Sequence, residues 1–389
     1  MNGRWQSRLV RRVVETVSWL AAAGGGPLRR QRTEQPPGFA RAAEVQAAGS
    51  TYYRRPWQAE FPPAPLDTPG DWPTAHLYRI ADARVSGVCG SIFLPDGALV
   101  SACPWVEMLV DKRVRRPSGW RAQSLGGPVL HLLGRNHENH GHFVFEYLPR
   151  VLAAEPWLDR ERPGWRIAIA GQFARWQRRY LELLGFGVDR VVELWPGTTR
   201  VADLFFVPRL AGRSSMPSPA LMAATMARLQ AGTLARWPEL ARPPEPSRAV
   251  FLSRADAPNR RLLNEDEIVT VLRRHFPAVE VVRLTGLDFQ AQLTAMARAE
   301  LILGPQGMAL TNMAFLRDRF VVCLEATMDP VEMAWEAAYC LFAEQGGNRS
   351  LMLYGGQERE PGHKNFTYPA RKFDGEMARL GRVLGRATP

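Results

Sequence analysis

Residues 301–312 read LILGPQGMALTN. An apolar run ends at Gly304, a short turn follows, and a helix-like pattern starts near Met308, which is typical of a buried strand that turns into a helix. Helix N-termini favour anions, and Gly307 lets the backbone approach a ligand closely. Thr311 and Asn312 are expected in the first helical turn, where they can donate to the anion. An ordinary strand-to-helix turn is the other interpretation.

The same alternation of strands and helices extends outward from this turn in both directions. Strand patterns at 166–170, 191–194, 204–207, 249–252, 280–284 and 320–325 alternate with helix patterns at 173–184, 264–272 and 289–298. Such alternation predicts parallel sheets covered by helices. Ligands of open parallel sheets bind beyond the carboxyl ends of the strands, and two facing α/β halves form a cleft that favours a ligand.

Proline- and glycine-rich segments predict that the chain has three regions. A proline-rich connector at 242–247 separates an α/β domain over 74–241 from a second one over 242–389. Residues 1–73, rich in Gly, Pro and Arg, are expected to be an irregular extension, although strand-like runs follow at 85–94 and 98–102. The first 20 residues of the extension have apolar residues at helical spacing between arginines, which predicts an amphipathic helix. This amphipathic helix lies either on a membrane surface or on the protein's own body.

Composition narrows the class of protein. The chain has 389 residues and a net charge of +12, and its positive charge is nearly all arginine. Arginine binds phosphate through a planar, bidentate fork, so this excess of arginine is consistent with a partner that carries phosphate. No RNP-like run or zinc-finger spacing is present, so nucleic acid is not an expected partner. Four scattered cysteines without a CxxC pair favour a reducing, cytoplasmic location.

A second candidate anion site follows the strand at 249–252. Arg254 stands just past the carboxyl end of that strand, and Arg260 and Arg261 lie in the loop after it. A phosphate clamp is one interpretation, and a solvated arginine loop is the other. Asn264 and Glu267 match a capping box for the next helix, with Glu265 between them.

Three of the seven histidines lie in RNHENHGHFVFEYLPR, residues 135–150. His137, His140 and His142 resemble metal ligands, but no HExxH motif or matching Cys/His partner is present, so neither a metal nor another cofactor is expected. If a helix begins near Gly141, His142 and Glu146 share one face. A histidine oriented by a carboxylate is a competent general base, whereas a buried, hydrogen-bonded histidine is the alternative. Pro149 is expected to end this helix.

Five blocks in order resemble glycosyltransferase family 61 (formerly DUF563). Residues 139–150 are similar to its N-x-x-H-W-x-x-[DE]-x-L-P-R block, and 253–265 to its SR…R…NE block. Residues 289–292 resemble F-x-x-Q, 304–312 resemble G-x-H-G-A-x-L-x-N, and 323–325 resemble the V-x-E strand. The similarity covers roughly residues 130–345.

The resemblance implies a GT-B-like fold, in which two Rossmann-like domains face each other across a cleft. It also implies an inverting, metal-independent glycosyltransferase that moves a sugar from a nucleotide-sugar donor to a carbohydrate or other hydroxyl acceptor. His142 is then the expected base, oriented or replaced by Glu146, with Asn139 and Arg150 on the acceptor side. The expected donor-binding residues are Arg254, Arg260, Asn264, Glu265, Gly304, Gln306, Gly307, Thr311, Asn312 and Glu325.

The chain departs from the family pattern at three positions. Gln306 replaces His, Met308 replaces Ala and Phe143 replaces Trp. Glutamine can donate a hydrogen bond to a phosphate or sugar, but it carries no titrating proton. A catalytically weak relative that binds a nucleotide sugar or glycan is therefore the alternative function. Surface-glycan synthesis, with peripheral contact to the cytoplasmic membrane face, is expected by analogy alone.

Overall fold

The computed structural model describes residues 39–54, 67–87, 90–97, 100, 123–134, 136–208, 210, 217–326, 339, 341–360 and 364–385. Contacts divide the chain into two compact units. One lies within Met1–Gly49 and Pro73–Leu210, and the other within Ser50–Trp72 and Ala211–Pro389. The predicted amphipathic helix and the strand-like run at 98–102 lie outside the described residues, except for Val100. None of the described helices is long and apolar enough to span a bilayer.

The described elements, in chain order, have the following bounds. The strands are β1 (Phe39–Gln46), β2 (Gly49–Arg54), β3 (Asp67–Trp72), β4 (Ala75–Ser86), β5 (Ile92–Phe93), β6 (Gln123–His131), β7 (Arg166–Ala170), β8 (Val191–Leu194), β9 (Thr198–Phe206), β10 (Glu245–Leu252), β11 (Ala278–Val282), β12 (Ala299–Pro305), β13 (Phe320–Glu325), β14 (Arg349–Tyr354), β15 (Gln357–Glu360) and β16 (Asn365–Thr367). The α-helices are α1 (His140–His142), α2 (Leu148–Glu161), α3 (Ala174–Leu183), α4 (Pro219–Arg236), α5 (Glu265–His275), α6 (Phe289–Ala297) and α7 (Ala370–Val383).

The first unit is built on a mixed sheet of order β1-β4-β9-β6-β7-β8, with β5 beside β4. β9, β6, β7 and β8 run parallel, whereas β4 pairs antiparallel with both β1 and β9. Parallel strands need crossovers, and α2 and α3 supply them on either side of β7. The carboxyl ends of β6, β7 and β8 therefore share one edge of this sheet.

Two sequence-based expectations about the first 94 residues were wrong. β1, β2 and β3 lie where an irregular extension was expected. β1 pairs with β4 through two register shifts, which break the strict alternation that a pattern search needs. Residues 85–94 are not one strand: β4 ends at Ser86, β5 is Ile92–Phe93, and the Ser86 N–H donates to the Ser91 carbonyl.

The second unit has a fully parallel sheet of order β11-β10-β12-β13-β14. The central strands are apolar and buried, as expected for a sheet covered on both faces. Helix α4 precedes the proline-rich connector yet belongs to this unit. The main part of the unit therefore starts at Ala211, whereas the sequence predicted a boundary at residue 242. Mixed α/β architecture with parallel sheets is confirmed.

Candidate functional site

The segment that carries the histidines begins the helical part of the first unit. Asn139 caps it, and its Oδ1 accepts a hydrogen bond from the His142 backbone N–H at 3.2 Å. α1 then passes through a π-helical turn, Phe143–Tyr147, into α2. Single π turns occur often at functional sites. Pro149 does not end this helix; it stands in the first turn of α2, where its missing N–H costs nothing.

His142 and Glu146 form the hydrogen-bonded pair that their spacing predicts. His142 Nδ1 lies 2.6 Å from Glu146 Oε1, and the two side chains are 25% and 10% exposed. With the Nδ1 proton donated to the carboxylate, Nε2 carries the lone pair. The Asn136 amide lies 3.4 Å from that nitrogen. The imidazole is therefore oriented, partly exposed and able to take a proton at Nε2.

The other two histidines of the cluster have different partners. His140 lies 4.1 Å from the Trp176 ring and bonds the Tyr180 hydroxyl at 3.1 Å, and burial lowers its pKa to about 4. Burial also lowers the pKa of His137, whose Nδ1 bonds the Gly134 carbonyl. No three His, Cys, Asp or Glu side chains of the described ranges are grouped to hold a metal ion. His140 is therefore held by aromatic packing.

Arg150 lies two helical turns after His142. It is 5% exposed, and its guanidinium carbon lies 4.3 Å above the Tyr147 ring. Its Nε has no hydrogen-bond partner. The predicted acceptor-side arginine is thus buried in the same helical segment as His142.

Arg254 lies just beyond the carboxyl end of β10 in the second unit. Its Nε donates to the Arg260 carbonyl at 3.2 Å, and Nη2 donates to the Asn259 carbonyl at 3.0 Å. Burial, and then the neighbouring Arg260, lower its pKa. A Cβ on Gly307 would lie 1.8 Å from Arg254 Nη1. Glycine at 307 therefore leaves the space that the guanidinium occupies.

Arg260 is the second cation of this loop. It has a φ of 53°, in the left-handed region, and its Nη1 donates to the Gln306 side-chain carbonyl. Gln306 is 6% exposed, and its N–H bonds the Leu324 carbonyl at 3.2 Å. Neither Arg254 nor Arg260 forms an ion pair with any described acid, although Asp256 and Glu325 act electrostatically on Arg254. Gln306, at the family's histidine position, holds Arg260 in place.

The helix after Gly307 differs from the predicted one. Met308–Phe315 is a 3₁₀-helix with three residues per turn, so Thr311 and Asn312 lie in its second turn rather than its first. Both are buried, and Asn312 Nδ2 donates to Gln292 Oε1 at 3.1 Å. Gly304 allows β12 to pack closely on β10, since a Cβ there would lie 2.7 Å from the Leu252 carbonyl oxygen.

The Asn264 side chain forms hydrogen bonds within the second unit. It bonds the backbone N–H and carbonyl of Tyr368 at 2.9 and 2.8 Å, and donates to Glu267 Oε2 at 2.7 Å. Asn264 and Glu267 therefore bond to each other through their side chains and do not form the predicted capping box. The bonds to Tyr368 link the start of α5 to the residues just before α7. Glu265 is the first residue of α5, and its Oε2 is buried without a hydrogen-bond partner.

Two further residues complete this edge of the sheet. Glu325 ends β13 and is 7% exposed. Tyr339 was missed in the sequence; burial raises its pKa, and Arg260, Cys323, Arg254 and Glu325 all act on it electrostatically. No motif signals Tyr339, because it joins the group through tertiary folding alone.

The model of the Glycosyltransferase 61 family matches residues 140–323. Over this segment the chain is similar to glycosyltransferase family 61, the family that its sequence blocks resemble. The matched segment spans just under half of the chain and holds the histidine pair, the arginine loop and the turn at 304–307. Asn139, Glu325 and Tyr339 lie outside it.

Other comparisons add no functional information. No curated protein matches this chain. Rubredoxin oxygen:oxidoreductase from Desulfovibrio gigas aligns over 91% of this chain and 99% of its own, at 10% identity and a TM-score of 0.26.

Proposed function

We propose that this protein is an inverting, metal-independent glycosyltransferase (EC 2.4) that transfers a sugar from a nucleotide-sugar donor to a hydroxyl acceptor. We further propose a GT-B arrangement, with an acceptor domain over residues 74–241 and a donor domain over 242–389. Similarity to family 61 and a parallel βα arrangement in each unit support this assignment. The nucleotide sugar is a substrate, so the proposal requires no cofactor.

The 2.6 Å bond between His142 Nδ1 and Glu146 Oε1 carries the proposal. The carboxylate fixes the tautomer and stabilises the imidazolium that forms when Nε2 takes a proton from the acceptor hydroxyl. The acceptor oxygen then bonds to the anomeric carbon from the face opposite the leaving group. The carbon–oxygen bond to the diphosphate breaks, and its electron pair leaves with the nucleoside diphosphate, which inverts the configuration.

The departing diphosphate needs positive charge, and the arginine loop supplies it. Arg254 and Arg260 are both half-buried, and their nearest hydrogen-bond acceptors are carbonyl groups rather than acids. Fixed cations in a partly desolvated place stabilise developing negative charge more than mobile ones do. Gly307 and Gln306 support these two side chains. Glu325, at the end of β13, is our proposed acceptor of hydrogen bonds from the donor's ribose.

The cellular role follows the family analogy. We propose that the reaction belongs to the synthesis of a surface polysaccharide or glycan, on the cytoplasmic side of the membrane. The basic N-terminal sequence supports peripheral contact with an anionic membrane face.

A second candidate function is a binding module with weak turnover. It is favoured by Gln306, which occupies the family's histidine position and is bonded to Arg260. In that case the arginine loop would still bind a nucleotide sugar, and the His142–Glu146 pair would contribute nothing to catalysis. Binding and turnover must therefore be measured separately.

Nucleotide binding is tested by thermal unfolding with UDP, GDP, CDP and dTDP. One of these should raise Tm by several degrees, since a ligand at a hundred times its Kd stabilises by about 2.7 kcal/mol. Arg254→Ala should abolish the rise. Arg273→Ala, an exposed arginine on α5, should keep it. No response of the wild-type protein to any of the four, or an equal loss in both variants, would contradict the proposed donor site.

A further inference from the structure

Three buried polar side chains of the first unit flank the His142–Glu146 pair in the sequence. His131, His137 and Arg150 are 5%, 3% and 5% exposed. Within the described ranges, His131 Nε2, His137 Nε2 and Arg150 Nε have no hydrogen-bond partner. Buried polar groups without partners are rare in folded proteins, and each calls for an explanation.

These three side chains come from successive parts of the first unit. His131 is the last residue of β6, His137 lies in the loop that follows, and Arg150 is in the first turn of α2. Burial, Arg150 and His137 together lower the pKa of His131 to about 3, so the three groups lie within electrostatic reach of one another. They occupy the carboxyl end of a parallel strand, where α/β sheets bind ligands.

Arg150 carries a charge that no described acid neutralises. Its guanidinium carbon lies 4.3 Å from the centre of the Tyr147 ring, and it acts electrostatically on His131. Glu146, four residues earlier, is bonded to His142 instead. A buried charge without a counter-ion is costly, and an apolar side chain of similar length would fill the same space at less cost. An unneutralised buried cation of this kind indicates that a bound ligand supplies the anion.

We propose that Arg150, with His131 and His137, binds an anionic group, a carboxylate or a phosphate, on the acceptor. The inference rests on the proposed glycosyltransferase function and adds the substrate class of its acceptor. Arg150 follows His142 by eight residues, about 12 Å of helix rise, and long helical side chains lean back toward the N-terminus. The anion is thus held on the same helical segment as the base, which places the acceptor hydroxyl relative to His142.

Binding of simple sugars to the full-length protein tests this subsite. The probes are glucuronate, glucose 6-phosphate and glucose, compared by calorimetry at matched ionic strength. At least one anionic sugar should bind tenfold or more tightly than glucose, and the better of the two identifies the anion. Arg150→Met should remove the preference, whereas Arg175→Met, an exposed arginine on α3, should keep it.

Stability without ligand separates binding from a structural role. Arg150→Met should leave Tm unchanged or raise it, because it removes an unneutralised buried charge. A clear fall in its Tm, an equal loss of preference in Arg175→Met, or wild-type binding of all three sugars alike would overturn the subsite.

Two further readouts keep the subsite testable on its own. The nucleoside diphosphate shift should persist in Arg150→Met, so nucleotide binding without any anion preference would refute the subsite and leave the proposed function standing. Conversely, an anion preference without nucleotide binding would refute the proposed function alone. In the wild-type protein, the better anion should also raise the pKa of His131 seen by NMR, since it neutralises Arg150; no change would count against the subsite.

Discussion

At the scale of single residues, the surroundings distinguish the three clustered histidines. His140 and His137 stand within five residues of His142, yet burial keeps both neutral against aromatic or backbone partners. His142 is partly exposed and bonded to a carboxylate. The sequence predicts this pair because four residues bring two side chains together on one helix. It does not predict the bond from Arg260 to Gln306, which are 46 residues apart.

Glu146→Gln tests the orienting role of the carboxylate. The amide keeps the size and can still hydrogen-bond, but it no longer stabilises the imidazolium, so kcat should fall by about 10- to 100-fold with little change in KM. Steady-state kinetics with a responsive nucleotide sugar measures both. Glu161→Gln, at the exposed end of the same helix, should behave as wild type. An unchanged kcat in Glu146→Gln would remove this residue from catalysis.

At the scale of elements, the strand and turn at 299–307 were predicted well, and the helix after them less so. Apolar content and glycines indicate the strand and turn. They do not distinguish a 3₁₀-helix from an α-helix, because repeats of 3.0 and 3.6 residues cannot be separated over a segment as short as Met308–Phe315. The role of Pro149 was also ambiguous in the sequence, because proline can either end a helix or stand in its first turn. The π-helical turn before α2 has no sequence signature of its own.

Gly307→Ala tests the turn as a support for Arg254. The added Cβ would displace a guanidinium at the end of a flexible side chain, so the fold should persist while the cation moves. Affinity for the nucleoside diphosphate should fall about tenfold or more, or roughly 1.4 kcal/mol, as titration calorimetry would show. Gly381→Ala is the control, because nothing lies within 4 Å of its added Cβ. Equal affinities in the two variants would contradict this role for the turn.

At the scale of the whole molecule, the sequence predicts two α/β halves, and the structure has two units, each with parallel strands. The antiparallel β1 and β4 were missed or misplaced, because register shifts and glycine- and proline-rich flanks hide their alternation. Helix α4 groups with the second unit although it precedes the connector. Proline marks a break in local structure, whereas long-range packing decides which unit a helix joins.

The most direct test of the account is turnover of the responsive nucleotide sugar by wild-type protein and by His142→Gln. Release of nucleoside diphosphate is followed with and without an acceptor, and binding is confirmed for both proteins by the thermal shift. We predict acceptor-dependent release by the wild-type protein and a loss of about 100-fold or more in His142→Gln, with nucleotide binding intact. Equal release by the two proteins would contradict His142 as the base, and nucleotide binding without any turnover by the wild-type protein would contradict the enzyme itself.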